Sequence, residues 1–474
     1  MKSLPVYCVV WMVMLSVTAC ASIPVEESAS LQEEAARVGA PSTVENQEIV
    51  LPEIHEGATL KDYLMYAALN NAGLEAAFYN WKAALERIPQ VSSLPDPRFT
   101  YGYFFQSVET RVGPQEHRFG LSQSFPWIGK LEVQGTAAAE AARAARARYE
   151  AAMLNLFYQV KDAFYEYYYL EHAIAMTREN LELVKYLESV TRSLYAGGIA
   201  DFSDVVRTQV RLGELENQVQ TLATLLDPVA ARLNAVLNRP PNAPLYIPPE
   251  LHEEIVDISE EQIMSWLDEH NPELQAMQFA AQRARWNIAL AKKNFYPDIT
   301  LGIETIDTAE AISPGTPDSG KNPVIGSISL NIPVWWNKYR AAVREAEAAY
   351  KASVEDVVER KNGLIADTQL VLYRYRDAER RVDLYEDALV PKAKQSVDVS
   401  LESYRTGAGT FLEVIDAVRT LLDFQLAYER AFADRAQRLA ELEMLTGIDF
   451  PKSVKQVSGK GSQEDKRARG KRSD

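Results

Sequence analysis

YAGGIADFSDVVRTQVRL at residues 195–212 returns as YRTGAGTFLEVIDAVRTL at residues 404–421. Aligned, the two stretches pair Tyr195 with Tyr404, Gly198 with Gly407, Phe202 with Phe411, Asp204 with Glu413 and Val205 with Val414. Each copy reads as a short glycine-containing turn between a long helical pattern and a second helix, and an internal repeat fixes the unit that a fold must explain. Upstream of each copy a strand-like run ends in proline and tryptophan: FGLSQSFPWIGK (119–130) and SISLNIPVWWNK (327–338), with Pro126 answering Pro333. A module of two strands followed by a long helical hairpin is therefore duplicated.

Composition narrows the function. The 474 residues carry a formal net charge of −16, which argues against a nucleic-acid partner, since phosphate contacts need clustered Lys and Arg. The two cysteines, Cys8 and Cys20, both fall in the first twenty residues, so no cysteine-based metal site or internal disulfide is available beyond them. His55, His117, His172, His252 and His270 show no ligand spacing, and the chain holds no Walker loop, nucleophile elbow or GxGxxG. These features predict a protein that is not an enzyme and that uses neither a cofactor nor a bound metal.

Residues 1–19 read as a signal peptide, with Lys2 as its charge and Val6–Val17 as its apolar core. Val17-Thr18-Ala19-Cys20 resembles a bacterial lipobox, which makes Cys20 the lipidation site. An ordinary signal peptide or an N-terminal membrane anchor are the alternatives. Residues 20–56 form an acidic, proline-containing tether. The first module is expected over 57–245, the second over 246–450, and a basic disordered tail over 451–474.

Within the modules, Thr59 caps a helix expected to run to about Ile88, where Pro89 and LPDP (94–97) stop it. Two strands with period-two alternation follow: Phe99, Tyr101, Tyr103 and Phe105 share one face, as do Phe119, Leu121, Gln123 and Phe125, with QSVETRVGPQEH (106–117) read as the loop between them. In the second module Ile299, Leu301 and Ile303 oppose Thr300, Gly302 and Glu304, and Ile328, Leu330 and Ile332 oppose Ser327, Ser329 and Asn331. Strands of this length, apolar on one face and small or polar on the other, fit a lipid-facing barrel, and Trp127, Trp335 and Trp336 lie just past strand ends, where indoles favour the membrane interface. A soluble sandwich with apolar inner faces is the competing reading. Four strands are too few to close a membrane barrel, which needs about eight or more, so several chains must share one. Three chains supply twelve strands, each from a pattern visible here.

Helix lengths fit the same plan. Segments 130–192 and 337–402 span roughly 95 and 99 Å, and the shorter 203–238, 410–447, 59–88 and 260–292 roughly 54, 57, 45 and 50 Å, at 1.5 Å per residue. Two short helices end to end match one long one. The run AAAEAARAARARYEAA (137–152) allows close helix packing, and the aromatics of FYQVKDAFYEYYYL (157–170) read as a packing ladder rather than a binding box.

Lipobox, paired strands, long hairpins and the duplicated Tyr-x-x-Gly turn together resemble the TolC-type outer-membrane efflux channel family, over about residues 57–450, with its lipid-anchored branch most similar. The resemblance implies a mainly α fold with a small β part: a homotrimer whose twelve-stranded outer-membrane β-barrel continues into a twelve-helix periplasmic α-barrel. It implies a passive exit duct for small molecules, fed by an inner-membrane pump through a periplasmic adaptor protein, in the outer membrane of a Gram-negative bacterium. Carried over by position, Tyr195, Gly198, Phe202, Gly407 and Phe411 would build the hairpin tips where the adaptor docks. Asp204, Tyr404, Glu413 and Asp416 would form the periplasmic gate. The plainer role for Glu413 and Asp416 is that of acids stabilised by a helix N-terminus. Family members can carry an arginine where this chain has Gly409, leaving Arg405 as the alternative latch. A different class of protein, a lipid-anchored coiled-coil adaptor or scaffold without a pore, remains open on the residues alone; it predicts that Cys20→Ala leaves membranes. The cargo is not legible.

Overall fold

The structure is a computed structural model that describes residues 54–451, apart from Glu250, His252, Glu253, Asp257, together with Ser30, Leu31, Glu33, Ala35 and the pair Ser453–Val454. Cys20, the signal peptide, nearly all of the tether and the tail after Pro451, except for that pair, lie outside the described residues.

The order of elements is α1 (Leu60–Asn70), α2 (Ala72–Ser92), β1 (Arg98–Thr110), β2 (Gly113–Phe125), α3 (Lys130–Ala196) and α4 (Phe202–Val236). A two-residue strand β3 (Glu254–Ile255) precedes α5 (Glu260–His270), α6 (Pro272–Lys293), β4 (Ile299–Thr308) and β5 (Val324–Leu330). Then come α7 (Trp336–Leu384), α8 (Val390–Arg405), α9 (Phe411–Thr446) and β6 (Ser453–Val454), which pairs with β3. No helix among the described residues is long and apolar enough to cross a membrane.

Two compact units contain these elements. One holds residues 76–150 and 272–361, with all four long strands; the other holds the described residues of 54–75, 151–271 and 362–451, and includes both glycine turns.

In the first unit β1, β2, β4 and β5 form one antiparallel sheet in that order. Register puts like beside like. Phe99 faces Leu121, which faces Ile303; Tyr101 faces Phe119; Phe125 faces Ile299, which faces Leu330. Neighbouring rows carry Thr100, Gly120 and Glu304, and Ser122, Gly302 and Ser327. Cross-strand neighbours share a face, so one side is apolar and the other small and polar. The apolar side is not covered: Phe99, Tyr101, Tyr103, Phe105, Leu301, Ile328 and Leu330 are all exposed. On the polar side Arg118 and Glu304 form an ion pair at 2.5 Å. Gly302 packs close there: a Cβ would fall 2.5 Å from the Ser327 hydroxyl, which would have to turn away.

The expected 106–117 loop is strand instead. β1 and β2 continue to Thr110 and from Gly113, and only Arg111 and Val112 turn between them. These residues are polar on both faces, so no period-two signal marks them, and a register irregularity between Tyr103 and Val108 breaks what alternation there is. Gly113 adopts φ +133 and a Cβ there would lie 1.8 Å from the Ala309 carbonyl oxygen, so the turn packs directly on the β4–β5 loop.

Each of the two expected short helices, 59–88 and 260–292, is in fact a pair. α1 and α5 are both eleven residues long, both end at an extended asparagine, Asn71 or Asn271, and α2 or α6 starts at the next residue. The same hydrogen bond holds both breaks, and at the second Pro272 also forces Asn271 out of the helical region. Asn71 Nδ2 donates to the Val236 carbonyl at 2.8 Å, and Asn271 Nδ2 to the Leu445 carbonyl at 2.7 Å. Each asparagine takes up an orphan carbonyl at the end of its repeat's return helix, α4 or α9. α2 also passes through Pro89 to Ser92, with the Ser92 and Ser93 hydroxyls on the carbonyls of Ile88 and Pro89. The long second-module helix is interrupted by a π turn at Tyr385–Leu389, closed by Val390 N–H on the Tyr385 carbonyl. Pro391 follows directly; its ring would clash with a carbonyl four residues back in an unbroken α-helix, and the wider turn removes that clash.

The aromatic run at 157–170 is core: Phe164 is fully buried and meets Tyr63 edge-on at 5.4 Å, while Tyr168 packs on Phe432 at 5.7 Å.

Candidate functional site: the paired glycine turns

Both turns close by the same hydrogen bonds. Gly198 N–H donates to Tyr195 O at 2.9 Å and Ile199 N–H to Leu194 O at 2.9 Å; Gly407 N–H donates to Tyr404 O at 3.1 Å and Ala408 N–H to Ser403 O at 2.9 Å. This nested pair, with a left-handed residue as the pivot, is the Schellman ending of a helix, and glycine supplies the left-handed φ of +73 at 198 and +75 at 407. The next helix begins four residues after each glycine, at Phe202 and Phe411.

The helix starts differ. At the second turn Thr410 and Glu413 make a reciprocal capping box: the Thr410 side chain accepts from Glu413 N–H at 3.4 Å, and Glu413 Oε2 accepts from Thr410 N–H at 2.9 Å. The first turn has Asp201 and Asp204 at these positions, and the Asp201 side chain makes no cap bond. Burial, the Asp201 carboxylate next, holds Asp204 above the usual carboxylate range.

The ring pairs differ more. Tyr195 and Phe202 lie 5.6 Å apart, and Tyr404 and Phe411 6.0 Å apart. The first pair is 47% and 60% exposed; the second is 5% and 3% exposed. Phe411 and Tyr404 belong to a core with Leu187, Val184, Leu215, Val397 and Val418. The Tyr404 hydroxyl reaches Thr191 Oγ1 on α3 at 3.5 Å. Burial raises the Tyr404 phenol above its ordinary value, with Asp204 adding to the shift and the Thr191 bond opposing it.

Thus Tyr404, Phe411 and Asp204 are brought to one end of the helices, and Glu413 and Asp416 stand exposed beside them. The Glu413 carboxylate is held by its own helix cap. Gly409 has no room for a side chain: a Cβ would sit 2.9 Å from Ser403 Cβ and 3.2 Å from Tyr404 N. Arg405 is engaged elsewhere, 3.7 Å from Glu402 and over the Tyr186 ring at 6.0 Å.

At the strand ends, Trp127 stacks on Tyr296 at 4.9 Å, and Trp336 lies 5.9 Å from Phe295; Trp335 and Trp336 are exposed. Trp127 N–H donates to Asp298 Oδ1 at 2.9 Å, and Lys130 pairs with the same carboxylate at 3.2 Å, which ties the start of α3 to the start of β4. Tyr296 and Phe295 extend the aromatic group beyond the three tryptophans, a signal present in the sequence as NFYPD just before β4.

Two polar groupings were invisible to spacing. Arg430 joins Glu166 at 2.7 Å, Asp434 at 2.9 Å and Gln437 at 2.8 Å, and lies 4.5 Å from the Tyr169 ring centroid. Glu116, His117 and Asp307 each place one donor atom within 4.8 Å of the others.

The sequence model of the family described as "Outer membrane efflux protein" matches residues 64–239 and 264–448. An uncharacterized protein of Haemophilus influenzae is 24% identical over 208 residues, 43% of this chain and 45% of that protein, so the chain spans under half of that relative's length. The toxin and drug export protein A of Aggregatibacter actinomycetemcomitans is 22% identical over 397 residues, 80% of this chain and 84% of that one. The outer membrane protein VceC of Vibrio cholerae, solved as a crystal structure, superposes with a TM-score of 0.68 at 19% identity, covering 83% of this chain and 97% of VceC.

Proposed function

The chain belongs to the outer membrane efflux protein family, and we propose that three copies assemble into one shared pore that serves as the passive exit duct of a tripartite efflux system. In this reading the sheets of three chains close a twelve-stranded barrel in the outer membrane, and their helices continue as a twelve-helix periplasmic tunnel. An inner-membrane pump supplies substrate and energy through a periplasmic adaptor. The duct itself performs no catalysis, and the substrates are small molecules.

The observation that carries the proposal is the sheet. It is antiparallel, four strands wide and in register, with β1 and β5 each paired on one side only and an uncovered apolar face. An open sheet with unpaired edges and an exposed aromatic face is a poor free-standing object in water, and pairing edge to edge with further copies removes both defects. Small and polar residues on the opposite face, with the Arg118–Glu304 pair among them, then line the inside.

In the same reading the two Schellman turns form the tips to which the adaptor docks, and Asp204, Tyr404, Glu413 and Asp416 surround the constriction. Three copies of each carboxylate near one axis would favour cations and make closing without water costly. The mature protein extracted in detergent and corrected for bound detergent is expected at the mass of a trimer. A monomer that keeps its native helix content would leave the strands with no means of closing, and would overturn the shared pore.

A further inference from the structure

We infer that Glu116, His117 and Asp307 form a binding site for a divalent transition-metal ion at the loop end of the β2–β4 strand pair. Residues 116 and 117 are neighbours in a strand and should point to opposite faces. They do not, because the ladder skips a residue: Gln115 pairs with Thr308 and His117 with Asp307, which leaves Glu116 as an extra residue on β2. A bulge of this kind re-aims a side chain. Here one donor atom each from Glu116, His117 and Asp307 comes within 4.8 Å of the other two, close enough for small side-chain rotations to bring all three onto one ion.

Two of the three are held from behind. The Tyr101 hydroxyl lies 3.0 Å from His117 Nδ1, and the two rings stack at 6.0 Å with 23° between their planes. Asn322 Nδ2 donates to Asp307 Oδ1 at 3.2 Å, and Asn322 is itself fixed because its Oδ1 accepts from Thr308 N–H at 2.8 Å. An outer shell that fixes the ring of a histidine and one oxygen of a carboxylate is what metal sites use to aim their ligands. With Asn322 on Asp307 Oδ1 and Tyr101 on His117 Nδ1, Asp307 Oδ2 and His117 Nε2 are the atoms left to face an ion. One imidazole and two carboxylates favour zinc-like first-row ions over calcium or magnesium, which take all-oxygen sets. Three protein donors also leave a coordination position for water or an external anion. The inference is independent of the pore reading, because all three ligands belong to one chain.

The test is calorimetric titration of Zn2+ into the full-length protein in detergent. One ion per chain is expected, with Ca2+ in tenfold excess failing to displace it. His117→Gln and Asp307→Asn should each weaken binding at least tenfold, and Tyr101→Phe, which removes only the outer-shell hydroxyl, about tenfold. Circular dichroism and oligomeric mass, unchanged in each variant, exclude misfolding as the cause. Zinc binding that is undiminished in His117→Gln would overturn the site, because the ion would then sit on another histidine. Stoichiometric displacement by Ca2+ would overturn the assignment to a transition metal.

Discussion

At the first turn the Tyr195–Phe202 ring pair stands in solvent, and at the second the Tyr404–Phe411 pair lies in the core, although the backbones close through the same hydrogen bonds. The repeat extends this contrast. In the first module the alanines of α3 are packed, with Ala139, Ala142, Ala144 and Ala147 buried, whereas Ala348 and Ala349 on the outer stretch of α7 are exposed. Duplicated sequence therefore has covered and uncovered copies within a single chain. The second turn is covered by α3, the helix that leads into the first turn. If three chains form the tube, the uncovered copies are covered by the next chain, and the exposed aromatic pair is an intersubunit version of the buried one.

The largest effects should come from the two phenylalanines. Phe411→Ala removes a buried side chain and should cost about 3–5 kcal/mol, seen as fast hydrogen exchange and early protease cleavage at the second tip. Phe202→Ala should leave the chain's own tip core intact and instead lower the denaturant concentration at which trimers dissociate. If both variants lower local protection equally and neither affects assembly, the intersubunit reading of the first turn is wrong.

Next come the glycines. Gly198 and Gly407 share a left-handed φ, and a Cβ at either meets nothing closer than 3.9 Å. Alanine at either should cost about 1 kcal/mol from backbone conformation alone. Gly409→Ala differs, since its Cβ would clash with Ser403 and Tyr404, so it should be worse than either despite an ordinary φ. Thermal melting of the three variants ranks them directly.

The carboxylates then separate structure from electrostatics. Glu413→Gln keeps an acceptor for Thr410 N–H, so the capping box survives, whereas Glu413→Ala should lose about 0.5–1 kcal/mol. Glu413→Gln combined with Asp416→Asn should thus change single-channel conductance and cation preference with little change in melting. Unaltered conductance in that well-folded variant would leave both acids as helix-terminus residues only.

How much of this was readable in advance depends on whether the signal was local. The glycine turns and the apolar faces of the strands are periodic patterns in short windows, and register then aligned them across four strands. The break at Asn71 has no local proline, and the carbonyl its side chain holds is 165 residues away; the one at Asn271 did carry a local signal, Pro272, which disfavours helix at the residue before it and suits the first position of a new helix. The hairpin at 106–117 was missed because strand residues that are polar on both faces look like loop. Glu116, His117 and Asp307 meet only through the β2–β4 register and a bulge, so no spacing rule could have found them. The absence of an arginine at position 409 was plain in the sequence, but its reason, a backbone too close for any side chain, was not.

The smallest expected effect lies at the first turn's helix start, where Asp201 and Asp204 replace the threonine and glutamate of the second. Asp204 is held above its ordinary value by burial and then by Asp201, so its ionisation opposes the folded turn. That penalty is fully present above the folded pKa and vanishes as the pH falls below the ordinary value near 3.8, the reverse of a carboxylate that gains a partner. Asp204→Asn should therefore stabilise the first tip at neutral pH by a few tenths of a kcal/mol, small because water screens a group so near the surface. The gain should disappear in acid, where the native residue is itself neutral. Hydrogen exchange across residues 199–208 at neutral and at acid pH measures both. Equal stabilisation at the two pH values would mean that asparagine acts as a better cap rather than by removing charge, and the contrast between the turns would then be one of hydrogen bonding alone.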